Sequence, residues 1–297
     1  MPAESPADYT EAAAAETTAP ATESVRERFS LEGRVALVTG GAGMLGVRHA
    51  EAIAEMGGTP VLMDLDAERC AEAEERVRRT TGGACTSVVA DLTRDAEVRA
   101  AVDAVVGRHG RVDVLVNNAA LTVKGGGGAF GDYFAPFEEY PEALFERALR
   151  VNLTGAFLVT QAVGRVMVAQ RRGAVVNVAS DVAVISPDHR IYEGMTFGGK
   201  PFNTPIAYSM SKAALLAMTR YLATYWAPHG VRVNALSPAG VYDGHDAAFV
   251  ERLSSRIPLG RMARQDEYKG ALVFLCSDAS SFMTGANLIV DGGRTAW

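Results

Sequence analysis

The run VALVTGGAGMLG, residues 35–46, decides the fold of this chain. Val35 to Val38 form a β-favouring apolar run that stops at Thr39 and a glycine cluster, and GVRHAEAIAEMG beyond it has helical periodicity. Strand, tight turn and helix in that order predict the first βα unit of a nucleotide-binding sheet. In such a unit Gly40 permits the turn, Gly43 lets backbone approach a pyrophosphate, and Gly46 lets the helix pack on the strand, with phosphate charge at the helix N-terminus. A glycine cluster also suits a merely flexible turn, so its place at the head of the unit carries the reading.

Working outward, TPVLMDLD supplies a second short strand that ends at Asp64, 24 residues beyond Gly40. An acidic side chain there accepts the hydroxyl hydrogens of an adenine ribose and repels the extra phosphate of NADP. No arginine directly follows Asp64, so NAD(H) is favoured over NADP(H). Helix capping by Asp64 or Asp66 is the competing use of these carboxylates. Further apolar runs at 85–90, 112–116, 174–179, 231–236 and 287–290 join those at 35–39 and 60–64, with helical runs between most of them. This predicts an α/β, three-layer Rossmann fold with a mainly parallel seven-stranded sheet, formed by one domain over residues 30–297. Gly40, Asp64, Asp91, Asn117, Ser180 and Pro238 then fall at carboxyl ends of strands, where such sheets do chemistry. Residues 1–29, rich in Ala, Glu, Thr and Pro, read as a flexible leader.

Composition bounds the function. A 48% hydrophobic chain of 297 residues suits one large domain. Its net charge of −6, with no Lys/Arg run longer than two, argues against a nucleic-acid groove. Cys70, Cys85 and Cys276 are too scattered for a disulfide framework or metal knuckle, and the five histidines lack ligand spacing, so no metal is expected. His49 is placed on the surface of the cofactor helix. No stretch of 18 consecutive apolar residues and no basic-then-apolar N-terminus is present, which points to a cytoplasmic protein without membrane insertion.

In AYSMSKAALLAMTRYLA, Tyr208 and Lys212 lie one helical turn apart on a common face. Two solvated side chains would satisfy this spacing. So would a proton-transfer pair, in which the ammonium favours the phenolate and brings the tyrosine towards the working range.

From about residue 31 onward the chain resembles the classical short-chain dehydrogenase/reductase family. TGGAGMLG resembles its cofactor glycine motif, with Met44 where a glycine is common; NNAA at 117–120 resembles the motif after the fourth strand, with Ala120 in place of its last glycine. Asn152 in VNLTG, Ser180 in VNVAS, and Tyr208 with Lys212 match the catalytic set. The resemblance implies that Tyr208 exchanges the alcohol proton, Ser180 holds the substrate oxygen, Lys212 supports the phenolate and the nicotinamide ribose, and Asn152 holds a relay water. It further implies cofactor contacts from Gly40, Gly43, Met44, Leu45, Gly46, Asp64, Leu65, Asp91, Leu92, Asn118, Ala119, Pro238, Gly240 and Val241, and a homotetramer.

Two departures bear on substrate. Ser180 and Tyr208 are 28 apart, where the family has a little over a dozen, so residues 181–206 form an insertion expected to wall the pocket. Within it His189, Arg190, Tyr192 and Lys200 are substrate candidates; KGGGGAFG, with Tyr133 and Phe134, is expected to cover one side with an apolar edge. In SPAGVYDG, Ala239 and Asp243 replace the usual glycine and threonine, so the nicotinamide contact changes in detail. DHRIYEG, MTRYLATYWA and DGGRTAW are also similar to bacterial oxidoreductases of surface sugars and flagellin glycosylation. The substrate implied is a sugar, polyol, sugar phosphate or nucleotide sugar. The alternatives are a non-sugar biosynthetic ketone, or an inactive nucleotide-binding subunit.

Overall fold

A computed structural model describes residues 23–121, 132–197 and 200–297. In chain order the strands are β1 Val35–Thr39, β2 Thr59–Asp64, β3 Thr86–Val89, β4 Val114–Asn117, β5 Gly173–Val178, β6 Thr196–Phe197, β7 Lys200–Pro201, β8 Val231–Pro238 and β9 Asn287–Val290. The helices are α1 Val25–Arg28, α2 Met44–Glu55, α3 Ala67–Thr81, α4 Asp95–His109, α5 Glu142–Leu149, α6 Ala156–Gln170, α7 Ile206–Trp226, α8 Ala247–Ser254 and α9 Lys269–Cys276. Seven strands pair in the order β3-β2-β1-β4-β5-β8-β9, every pair parallel. The order reverses between β1 and β4, which opens a crevice at their carboxyl ends.

Period-two alternation divides the strands between two cores, although their side chains are buried on both faces. Val35, Leu37, Leu115, Val175 and Val233 pack with Val98 and Val102 of α4, Val163 and Met167 of α6, and Trp226 of α7. Ala36, Val38, Val114, Val116, Val176 and Leu236 pack with Ile53 of α2 and Leu272 and Leu275 of α9. Each such aliphatic burial stabilises the fold by roughly 1.5–3 kcal/mol. The helical run Glu142–Gln170 is long and apolar enough to cross a membrane by composition, but half of its most apolar window is buried. That apolarity is spent on the core.

The structure corrects two expectations. Residues 24–29, assigned to a flexible leader, hold α1 through a capping box in which Ser24 and Glu27 satisfy each other's backbone, and Phe29 meets Phe274 at 6.3 Å. His49 is not on a surface: it is 1% exposed, and neither ring nitrogen has a hydrogen-bond partner. Burial lowers its pKa to about 4. Tyr133 and Phe134 are buried in a packed apolar cluster with Leu121, Leu144 and Phe202. Residues 1–22 and the glycine-rich KGGGGAFG lie outside the described residues.

Candidate active site

The glycine turn is built by close approach. Gly40 has φ +60°, and a Cβ there would stand 2.8 Å from Ala119 Cα; one on Gly46 would stand 2.1 Å from Gly40 O. Asn118 fastens this turn to the end of β4, donating from Nδ2 to Thr39 O at 2.9 Å and Gly40 O at 3.1 Å. Leu45 packs at the edge of the second core, while Met44, 38% exposed, opens α2 beside the turn. A backbone kept bare by such contacts fits a pyrophosphate against α2.

Asp64, at the end of β2, accepts from Ala42 N at 3.1 Å and Leu65 N at 2.8 Å, so its carboxylate is held beside the turn; Leu65 itself is exposed. Asp66 caps α3. From that helix Arg69 reaches back and donates to Ala42 O at 3.1 Å. No residue directly after Asp64 is cationic, but the first turn of α3 brings Arg69 to the same place. Asp91 accepts from Thr93 N and Oγ1, both at 2.8 Å, next to buried Leu92. At the far side Val241 forms a bridge with Ala263, and Gly240 O accepts from Ala263 N, which fixes the backbone after Pro238.

Asn152 sits on a single π-helical turn, Arg150–Gly155, between α5 and α6. Such turns reorient one side chain out of the regular helical register. Its Oδ1 accepts from Leu121 N at 2.6 Å, and its Nδ2 donates to Ser211 Oγ at 3.1 Å, which in turn donates to the Tyr208 carbonyl at 2.9 Å. Ser180 follows β5 and caps a 3-10 turn, Asp181–Ala183, so the capping role and the active-site position coincide in one side chain. Deeper still, Asn117 donates to Thr160 at 2.7 Å and Asn177 at 2.8 Å, and Asn177 donates to Thr219 at 2.8 Å. This buried ladder ties β4 and β5 to α6 and α7. Asn117 is thus a core residue, placed by β-register with Asn177, not a strand-end ligand.

Tyr208 and Lys212 share a face of α7, with the ammonium 5.7 Å from the ring centroid. Lys212 is 3% exposed and donates to Val178 O at 2.7 Å; burial lowers its pKa to about 8. The Tyr208 phenol lies above its ordinary value because of burial, against a hydrogen bond with Ser180 that lowers it, while Asp181 and Tyr192 raise it further. The ammonium is committed to a backbone carbonyl and lies by the ring.

The insertion folds as a 3-10 turn, His189–Tyr192, and the hairpin β6–β7. Tyr192 stacks on Phe202 at 4.8 Å and Phe249 at 5.6 Å, and Phe202 stacks on Phe134 at 3.8 Å. A cleft of about 480 Å³ is lined by Tyr140, Val182, Ile185, His189, Asn203, Thr204 and Ser209, among others, and so includes residues next in sequence to the Ser180 turn and to Tyr208. Of the substrate candidates, His189 lines the cleft, while Tyr192 is packed in the aromatic ladder. Arg190, 70% exposed, is engaged twice at 2.8 Å by Asp188. Lys200 lies in β7, and its side chain is outside the described residues. Tyr140, which the sequence reading passed over, lines the cleft, and its hydroxyl is buried without a hydrogen-bond partner. Among the described residues no group of three His, Cys, Asp or Glu side chains is arranged to hold a metal.

Comparison with known proteins accords with this geometry. Residues 41–295 match the family model described as enoyl-(acyl carrier protein) reductase. A D-threitol dehydrogenase of Mycolicibacterium smegmatis is 38% identical over 92% of this chain and 96% of its own length. Among solved structures, gluconate 5-dehydrogenase from Burkholderia cenocepacia in complex with NADP and tartrate superposes with a TM-score of 0.80 at 34% identity, over 92% of this chain and 100% of that one. An NAD+-bound xylitol dehydrogenase gives 0.76 at 34% identity, over 89% and 99%. With a seven-stranded parallel sheet, a glycine turn at its switch point and the Asn152, Ser180, Tyr208, Lys212 set gathered beside it, the chain belongs to the short-chain dehydrogenase/reductase family of oxidoreductases.

Proposed function

We propose that the protein interconverts a secondary alcohol of a polyol or sugar and the corresponding ketone, with NAD(H) as the preferred cofactor. The observation that carries the substrate reading is the cleft lined by Val182, two residues after Ser180, and by Ser209, next to Tyr208. Tyr140, His189, Asn203 and Thr204 line it with hydrogen-bonding groups, and the Tyr140 hydroxyl has no partner of its own. A buried hydroxyl left unpaired costs about 1–3 kcal/mol, which a substrate hydroxyl would recover. The polyol names of the threitol and xylitol relatives support the same class. Asp64 supports NAD(H), and Arg69 beside it opposes that preference.

In the oxidative direction Tyr208 takes the hydroxyl proton, Ser180 donates to the substrate oxygen, and Lys212 and the Asn152–Ser211 link hold the helix that carries Tyr208. The nicotinamide, when bound, supplies the hydride chemistry. A homotetramer is part of the proposal, supported by the exposed stacked pair Tyr221 and Tyr225 on α7 and by exposed Phe157 on α6. A surface-sugar or flagellin-linked substrate would use the same groups on a larger sugar.

The test is a dinucleotide-linked screen of threitol, xylitol, galactitol, sugar phosphates and apolar ketones in both directions. Polyol oxidation is expected. Turnover of apolar ketones alone would move the assignment to a non-sugar ketone reductase, the reading favoured by the acyl-carrier description of the family model.

A further inference from the structure

The C-terminal turn delivers a buried cation next to the reacting groups. Asp291 accepts from Gly293 N at 2.9 Å and Thr295 N at 2.7 Å, and this brace turns Arg294 inward, leaving it 8% exposed. Its Nη1 donates to Asp181 Oδ2. Asp181 is itself 3% exposed, and its other oxygen accepts from Ser180 Oγ at 2.9 Å and Val182 N at 2.8 Å. A chain of contacts therefore runs from Arg294 through Asp181 to Ser180, 113 residues apart at its longest step.

We propose that Arg294 and Asp181 are positioning residues for proton transfer: Arg294 holds and neutralises Asp181, and so decides whether the Ser180 hydroxyl hydrogen is committed to the carboxylate or free for the substrate oxygen and Tyr208. Ser180 has one hydrogen to give. An uncompensated carboxylate beside it would claim that hydrogen and repel a phenolate; a carboxylate sharing its charge with a guanidinium does so less. The groups facing Tyr208 are Ser180 and Asp181 from the turn after β5, Tyr192 from the insertion, Lys212 from α7 and Tyr133 from the segment after β4; Tyr192 also feels Arg294, and Tyr268 feels Asp181. Of the groups just named Lys212 and Arg294 carry positive charge; Lys212 donates to Val178 O, and Arg294 acts through its pairing with Asp181. The inference rests on Tyr208 as proton acceptor but not on the identity of the substrate.

The test compares Arg294→Met and Asp181→Asn, which alter the pair from opposite ends. In each, the acidic limb of kcat/KM for alcohol oxidation is measured, together with an ultraviolet difference titration of the phenolate referenced to the same background carrying Tyr208→Phe. Arg294→Met should move both midpoints upward by about one pH unit, and Asp181→Asn should move both downward. NAD affinity should stay within about twofold of wild type in both, since neither residue is placed in the cofactor crevice. Midpoints that stay fixed while melting temperature falls would make the pair structural and overturn the proposal, as would shifts of the same sign in both variants. The titration reads Tyr208 without turnover, so an error in the substrate class would leave this result standing.

Discussion

Gly46→Ala offers a graded test of the glycine turn. Its Cβ would stand 2.1 Å from Gly40 O, 2.8 Å from Gly41 Cα and 2.9 Å from Gly40 C, all backbone atoms of the turn proposed to hold the pyrophosphate. No side chain can rotate away, so either α2 lifts from β1 or the turn shifts by about an ångström. Overpacking of this kind costs about 1–3 kcal/mol. For a domain of this size that is several degrees of melting temperature, at roughly 2–4 °C per kcal/mol. Gly43→Ala meets only Gly40 O, at 3.1 Å, and should cost less; Gly107→Ala, exposed in α4 with nothing within 4 Å, should gain up to about 1 kcal/mol of helix propensity. Melting curves and NADH fluorescence titrations of the three variants read stability and cofactor affinity together. NADH Kd should weaken at least about tenfold in Gly46→Ala, about 1.4 kcal/mol, and remain unchanged in Gly107→Ala. Equal melting temperatures and equal Kd for Gly46→Ala and wild type would refute the reasoning that the turn admits no Cβ.

Other consequences are as direct. Tyr208→Phe keeps the ring but removes the exchangeable proton, so kcat should fall by about 10²-fold or more with NADH Kd largely retained; a near-wild-type rate would remove Tyr208 from the chemistry. Asp64→Ala should narrow the preference for NADH over NADPH, and adding Arg69→Ala should widen it again, as read by paired titrations; no change in either would detach this corner from cofactor choice. His49 has a folded pKa of about 4 against an ordinary value near 6.5, so between these pH values the unfolded chain binds a proton that the folded chain does not. Stability should fall as pH drops from about 6.5 towards 4, by on the order of 3 kcal/mol, and His49→Leu should flatten that slope in pH-dependent melting.

The order of strands and helices and the switch point were legible in the linear chain because their signals are local. Period-two and period-3.6 patterns report burial within a few residues, and the glycines at 40, 43 and 46 report a turn that only bare backbone makes. Proximity between elements leaves no local signal. Arg69 comes to Asp64 through the first turn of α3, Tyr140 to the cleft through the segment before α5, and Arg294 to Asp181 through a C-terminal turn, so each looks like an ordinary polar residue in its own neighbourhood. His49 shows the converse: a polar residue with a helical neighbourhood suited to solvent was carried inside because α2 is covered by both the sheet and its neighbours. Sequence by itself determined the fold, since it follows from short-range spacing; which charges surround the Tyr208 phenol, and therefore when it ionises, was decided only by packing, because electrostatic energy depends on distances across the fold that no spacing along the chain records.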